Sequence, residues 1–154
     1  MDLQKFLNAN MQAREAEIPV PALADFFGKA KPVWKVRGLT AAELGRAREA
    51  ADRSDTLRSA VVALAGAGDK AQAIKDALGL NDEDVPADIS RRIEMLAAGS
   101  VDPVVGSENR DVAVKLAESY PVLFYELTNK IHELTGAGSE VGKPKRSGKA
   151  QKSG

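Results

Sequence analysis

The apolar content of this chain leans on alanine, with leucine next, and hardly on aromatic side chains. Hydrophobic residues make up 44% of it, yet it holds one Trp, two Tyr and four Phe. Alanine is the best helix former. It also removes little surface from water, at roughly 25 cal/mol for each Å² of apolar area buried. A sheet protein would need Val, Ile, Thr and aromatic residues in alternation. The expected fold is therefore mainly α: a small helical domain with a short two-stranded β-ribbon near the N-terminus and a disordered basic C-terminal tail. Its core should be thin and its stability modest, with room for a partner to add to it.

The length of 154 residues suits one domain with tails. With no Cys, disulfides, thiolate metal sites and cysteine nucleophiles are excluded, and a single His excludes any site that needs two. No cofactor or metal is expected. No apolar run approaches the length of a membrane-spanning helix, and the opening MDLQKFLNANMQ lacks the basic start and apolar stretch of a signal peptide. Reducing cytoplasm is the expected compartment, and no membrane partner is expected.

Three segments follow from the pattern: an arm or short helix over 1–15, a helical domain over 16–136 and a flexible tail over 137–154. In the arm, Leu3, Phe6, Leu7 and Met11 share the face of a short helix. Pro19 and Pro21 forbid a helix across 17–23, so 16–21 reads as extended, followed by a helical turn over 22–27 ended by Gly28. The segment Val33-Trp34-Lys35-Val36-Arg37 alternates and is the best strand signal. Paired with 16–21 it makes the ribbon, anchored to the helices by Trp34. Thr40-Ala41-Ala42-Glu43 is a capping box that starts a helix over 41–52, with Leu44, Ala47, Arg48 and Ala51 inward. Ser54 can cap a second helix with Leu57, Val61 and Leu64 inward, or the two are one long helix.

Gly66 to Gly68 breaks the helix. Asp69 can cap another, with Ala71, Ile74, Ala77 and Leu78 at helical spacing and Gly79 as its C-cap. Residues 81–84 are an acidic loop or first turn. Pro86 opens a helix carrying Ile89, Ile93, Leu96 and Ala97, with Met95 off that face and Gly99 as its stop. Residues 100–108 read as a loop. Val112, Ala113, Leu116 and Tyr120 form a stripe that Leu123, Leu127, Ile131 and Leu134 continue beyond Pro121, which either starts a new helix or kinks the same one. Phe124 widens this stripe and Gly136 ends it. The tail holds Lys143, Lys145, Arg146, Lys149 and Lys152 against Glu140, a formal charge of +4. Since the chain is neutral, residues 1–136 carry −4.

Little here points to catalysis, and the expectation is that the chain is not an enzyme. His132 sits on the flank of the last helix, and no carboxylate pair is placed in an apolar pocket that would tune it. The string from Gly136 to Lys143 looks like a phosphate loop but has Ala137 at a required glycine and Pro144 after the lysine, and it follows a helix. The tail could touch nucleic acid only weakly and without sequence preference, having no aromatic residue for stacking. Signals for protein binding remain. Phe124 and Tyr125 put aromatic area on both sides of the last helix, so one side closes the core and the other is left for a partner, unless both are buried internally.

Two stretches carry a resemblance. One is Val33-Trp34-Lys35-Val36-Arg37-Gly38-Leu39-Thr40-Ala41-Ala42-Glu43. The other runs from Leu116 through Tyr120-Pro121, Leu127-Thr128-Asn129 and Ile131 to Leu134-Thr135-Gly136. Together they resemble tail assembly chaperones of long-tailed bacteriophages, over residues 16–136, with 53–108 poorly diagnostic. The resemblance implies a non-enzymatic chaperone in the host bacterial cytoplasm. It would bind the tape measure protein, help recruit tail tube subunits and be absent from the mature virion. Some members are also made in a longer frameshifted form, which would join here at 137–154. Matching positions are Trp34, Arg37, Leu39, Tyr120, Pro121, Leu127, Asn129 and Ile131, expected to be mostly structural. The face around Tyr120, Phe124, Leu127 and Ile131 is the expected site of partner binding or self-association. The alternatives are a structural head or tail completion protein and a small DNA-associated regulator.

Overall fold

The computed structural model describes residues 1–64, 68, 70 and 85–142. In chain order these form α1 (Leu3–Leu7), β1 (Met11–Gln12), β2 (Glu15–Pro19), a 3₁₀ turn (Pro21–Leu23), α2 (Ala24–Phe27), β3 (Val33–Arg37) and α3 (Ala41–Leu64). After them come α4 (Ala87–Gly99), β4 (Ser100–Asp102), α5 (Arg110–Ser119), α6 (Pro121–Gly136) and β5 (Glu140–Val141). The fold is mainly helical with a small amount of sheet.

The expected ribbon is present. β2 and β3 pair antiparallel, with Glu15 opposite Arg37 and Pro19 opposite Val33. It is not two-stranded, however: β4, read from sequence as loop, pairs antiparallel with the other side of β3, giving the order β2-β3-β4. The prolines and Gly28 punctuate as their chemistry requires. Pro21 opens the 3₁₀ turn, and Gly28 closes α2 at φ 61°, a conformation that costs glycine little.

Alternation along β3 sends Trp34 and Val36 inward, into the core that Ile18 of β2 and Val20 just beyond it also join. The sheet's inner face packs on α6, and α4 lies against α3, α5 and α6. The core combines these strand residues with Ile93, Met95 and Leu96 of α4, Ala113 and Leu116 of α5, and Phe124, Leu127 and Ile131 of α6. Trp34 is the anchor the sequence suggested. It is buried, tilts against Phe27 at 6.2 Å between ring centroids, and its indole N–H donates to Ser100 Oγ at 3.0 Å.

The capping box forms as drawn. Thr40 N–H donates to Glu43 Oε2 at 2.8 Å, and Glu43 N–H donates to Thr40 Oγ1 at 3.3 Å. The helix it starts does not stop at 52: α3 is continuous to Leu64. Ser54 therefore sits inside the helix rather than capping a second one, and its hydroxyl donates to the carbonyl of Val85. Among the described side chains of α3, Ala47 and Ala50 are buried, while Arg48 and Leu57 are exposed. Of the other residues expected inward, Leu44, Ala51 and Val61 are half-buried, so the inner side is placed in part. Met95, placed off the face of its helix, is buried too, because α4 has neighbours on several sides and no single apolar stripe describes it.

The boundaries of the tail and arm also move. Glu140 and Val141, assigned to the flexible tail, pair antiparallel with Gln12 and Met11, and Gly142 N–H donates to the Asn10 carbonyl at 2.7 Å. The arm forms a short helix, capped by Asp2, whose carboxylate accepts from Lys5 N–H at 3.0 Å. None of the α1 residues is buried. The readings made for 65–67, 69 and 71–84, including the helix through Ile74, lie outside the described residues, as does the tail from 143 onward.

Candidate partner-binding surface

Pro121 decides how the last two helices meet. It has no N–H, and its ring disfavours helical backbone at the residue before it. Tyr120 accordingly leaves the helical region (φ −134°, ψ 62°), ending α5, and Pro121 begins α6 as a new helix rather than a kink in the old one. Tyr120 still accepts from Phe124 N–H at 2.9 Å, so it also serves as the first carbonyl of α6.

The joint fixes which side of α6 faces inward. Phe124, Leu127 and Ile131 are wholly buried, and only Tyr120 of the four expected contact residues is partly open. The expectation that this quartet forms a partner face is corrected by its burial, since three of its members fill the core between α4, α5 and the sheet. Gly99 shows how tight that packing is. A Cβ there would stand 2.7 Å from Ile131 Cδ1.

The opposite side of α6 is the open one, and it holds the second aromatic. Phe124 turns in and Tyr125 turns out, the rings edge to face at 5.9 Å. Val122 is 81% exposed and Tyr125 39%. Two adjoining hollows lie here. One, of about 560 Å³, is lined by Val122, Tyr125 and Asn129. The other, of about 400 Å³, is lined by Pro19, Pro21, Ala22, Tyr120 and Leu123; the two share Pro121, Val122 and Glu126. The walls are chiefly apolar, and the rim carries the acid Glu126. Val122, Tyr125, Glu126 and Asn129 recur at helical spacing. That short stripe was readable in the sequence but was hidden beside the longer one of leucines.

A polar brace stiffens this surface. The Arg92 guanidinium lies 4.5 Å over the Tyr125 ring and donates to Thr128 Oγ1 and Asn129 Oδ1, both at 2.8 Å, and to Asp88 Oδ2 at 2.9 Å. The Arg91 guanidinium, and then that of Arg92, hold the Asp88 carboxyl below its ordinary range. Desolvation limits what such pairs add. Their geometric effect is to fix Tyr125 and Asn129 on α6 against α4. Only the Asp88 and Arg92 spacing hinted at this from sequence.

A third hollow of about 770 Å³ opens between the sheet, α3 and α4, lined by Glu15, Arg37, Glu43, Arg46, Glu94 and Ser100 among others. Its acids are already engaged. Glu43 accepts both Arg37 terminal nitrogens at 3.0 and 2.7 Å, Glu15 pairs with Lys35 at 2.7 Å, and Glu94 pairs with Arg110. The Arg37 hydrogen bond holds Glu43 below the usual carboxylate range, with the Thr40 backbone adding to it, and Glu43 raises Arg37 in turn. Among the described residues no group of three or more His, Cys, Asp or Glu could hold a metal ion, and no helix is long and apolar enough to cross a membrane. His132 is exposed on α6.

No protein-family model, no curated protein and no solved structure matches the chain.

Proposed function

We propose that the chain is a tail assembly chaperone of a long-tailed bacteriophage, acting without catalysis in the host cytoplasm. It binds the tape measure protein, helps bring tail tube subunits to it, and leaves before the virion is complete. One observation supports this reading above the resemblance itself. The two stretches that carry the resemblance are structural partners across the fold. Gly38 lies so close to the end of α6 that a Cβ there would stand 3.0 Å from the Leu134 carbonyl oxygen, and Leu39 N–H donates to Thr135 Oγ1 at 2.9 Å. Residues of a motif that must hold each other in place are those a family would share.

The partner surface assigned here is the outer side of α6, around Val122 and Tyr125, next to Pro19 and Pro21. An apolar groove of this kind accepts an amphipathic helix. A tape measure protein, long and helical, presents such stripes before the tube encloses it. The test is co-expression with a tape measure protein from the same source as this chain, followed by pull-down and light scattering of the soluble fraction. Soluble tape measure protein that co-elutes with the wild type, and is lost with Val122→Lys or Tyr125→Ala, is the expected result. Tape measure protein that stays insoluble and unbound beside folded wild type would sink the reading.

A further inference from the structure

The sheet of β2, β3 and β4 has an open side. Its order leaves β2 at an edge, and β1 and β5 pair only with each other. Which backbone groups face outward there follows from the two bonds that bracket the β2–β3 ladder. Gly38 N–H donates to the Arg14 carbonyl at 2.9 Å, and Val20 N–H donates to the Pro32 carbonyl at 3.0 Å. Both pairs continue the register that sets Glu15 opposite Arg37 and Pro19 opposite Val33. Hydrogen-bonded and non-hydrogen-bonded pairs alternate along an antiparallel ladder. Arg14, Ala16, Ile18 and Val20 therefore turn their backbone groups to β3. The N–H and C=O of Glu15 and Glu17, and the C=O of Pro19, point the other way, and no described residue bonds to them.

The side chains along this edge select what it takes. Glu15, Glu17 and Pro19 lie on the outer face, all exposed. Lys35 stands opposite Glu17 in the register but bridges to Glu15 at 2.7 Å. Glu17 is thus left without a salt bridge among the described residues. On the inner face Ala16 is half-buried and Ile18 is buried. A second copy is a poor occupant. Two copies joined edge to edge over the whole of β2 would set Glu17 of one directly against Glu17 of the other, and like charges directly opposite destabilise a pair of strands. A strand with Lys or Arg beside Glu17 meets the opposite sign, and small apolar residues on its other face extend the row of Ala16 and Ile18.

We propose that the outer edge of β2 takes up a strand from another protein, an extended basic segment that alternates Lys or Arg with small apolar residues. Its backbone completes the bonds of Glu15 and Glu17 by strand addition. Its cation sits beside the Glu17 carboxylate, which sets the register and excludes acidic segments. The site lies on the sheet and needs none of the α6 surface around Val122 and Tyr125. It does not depend on the phage reading.

The experiment is residue-resolved amide hydrogen exchange by NMR on the full-length chain, with a synthetic peptide alternating lysine and valine as the probe. In the free chain the amides of Ala16 and Ile18 should exchange slowly and those of Glu15 and Glu17 fast. Peptide added to about 1 mM should slow Glu15 and Glu17 and leave Ala16 and Ile18 as they were. The same peptide methylated on its lysine backbone nitrogens keeps its charge but cannot pair, and should slow neither. Glu17→Pro removes an outward donor that β3 does not use, a place where edge strands admit proline. Glu17→Lys reverses the charge at an exposed position. Each should weaken binding roughly tenfold, with circular dichroism checking the fold, and a glutamate version of the peptide should prefer Glu17→Lys to the wild type. Amides of Glu15 and Glu17 that ignore the lysine peptide overturn the proposal. So does slowing that the methylated peptide reproduces, or binding that neither substitution weakens. Protection of Glu15 and Glu17 that grows with chain concentration alone overturns it too, because the occupant is then a second copy.

Discussion

Trp34 and Ser100 meet across the sheet. The indole N–H of Trp34 donates to Ser100 Oγ at 3.0 Å, and that hydroxyl donates onward to the Leu96 carbonyl at 2.7 Å. Both side chains are buried, so one hydroxyl satisfies the sole tryptophan of the chain and ties β3 to the end of α4. Ser100→Ala would leave a buried N–H without a partner, at a cost of about 1–3 kcal/mol. Denaturant unfolding followed by Trp34 fluorescence should show the midpoint fall with the slope unchanged.

Glu43 has two duties, as the return arm of the capping box and as the fork for Arg37. Glu43→Ala should cost about 2 kcal/mol at neutral pH, from the lost cap and the part-buried Arg37 guanidinium left with the Gly38 carbonyl but no carboxylate. The Arg37 hydrogen bond lowers the folded-state pKa of Glu43 below its unfolded value. Its contribution is therefore complete above the ordinary carboxylate range and disappears as pH falls through the lowered folded value. Glu43→Gln should thus differ most from the wild type near neutrality and converge with it in acid. Parallel melting curves from pH 7 to about pH 3 check this; a gap that widens in acid would refute it.

Gly99 and Ile131 are packed so closely that a methyl group at 99 has no room. Alanine is the better helix former, so propensity alone favours Gly99→Ala. Overpacking should win, because Ile131 is wholly buried and has nowhere to move, and the net loss should be about 1–3 kcal/mol. Combining it with Ile131→Val should recover part of the loss. A double-mutant cycle reads that coupling directly.

Phe124 and Val122 are two residues apart on α6 and should behave oppositely. Phe124→Ala empties a wholly buried site and should cost about 3–5 kcal/mol. Val122→Ala changes an exposed residue and should stay within about 0.5 kcal/mol. A loss of partner binding in Phe124→Ala thus reports on the fold, and only Val122 and Tyr125 variants report on the surface. Thermal melts of both variants before any binding assay separate the two.

Arg92→Lys keeps a positive charge but not the planar fork that reaches Asp88, Thr128 and Asn129 together while covering Tyr125. It should cost about 1–2 kcal/mol and loosen the Tyr125 ring. Broadened or shifted aromatic resonances of Tyr125, with the rest of the spectrum unchanged, would show this.

Features encoded by neighbours in sequence were legible. Thr40 and Glu43 are three apart and cap each other, and the alternation around Trp34 needed no knowledge of the rest. Features that depend on distant pairing were not. Ser100, Val101 and Asp102 are too few to show an alternation, and become a strand only because the open edge of β3 takes them. β1 and β5 are exposed two-residue strands with no pattern to announce them. The partner surface was legible in kind but not in place. The two aromatic sides of the last helix were evident, but their assignment depended on the break at Tyr120, which rotates Phe124 inward and Tyr125 outward.

The short ribbon of β1 and β5 has a consequence under load. Asn10 and Gly142 are joined at its outer end, and Gln12 and Glu140 face each other at its inner end. Force applied to the two ends of the chain would open this ribbon as a zipper, one bond at a time, rather than shear all its bonds together. It should therefore part at low tension while the sheet and helices behind it hold, and in a single-molecule pulling trace it would appear as a small extension preceding the main rupture.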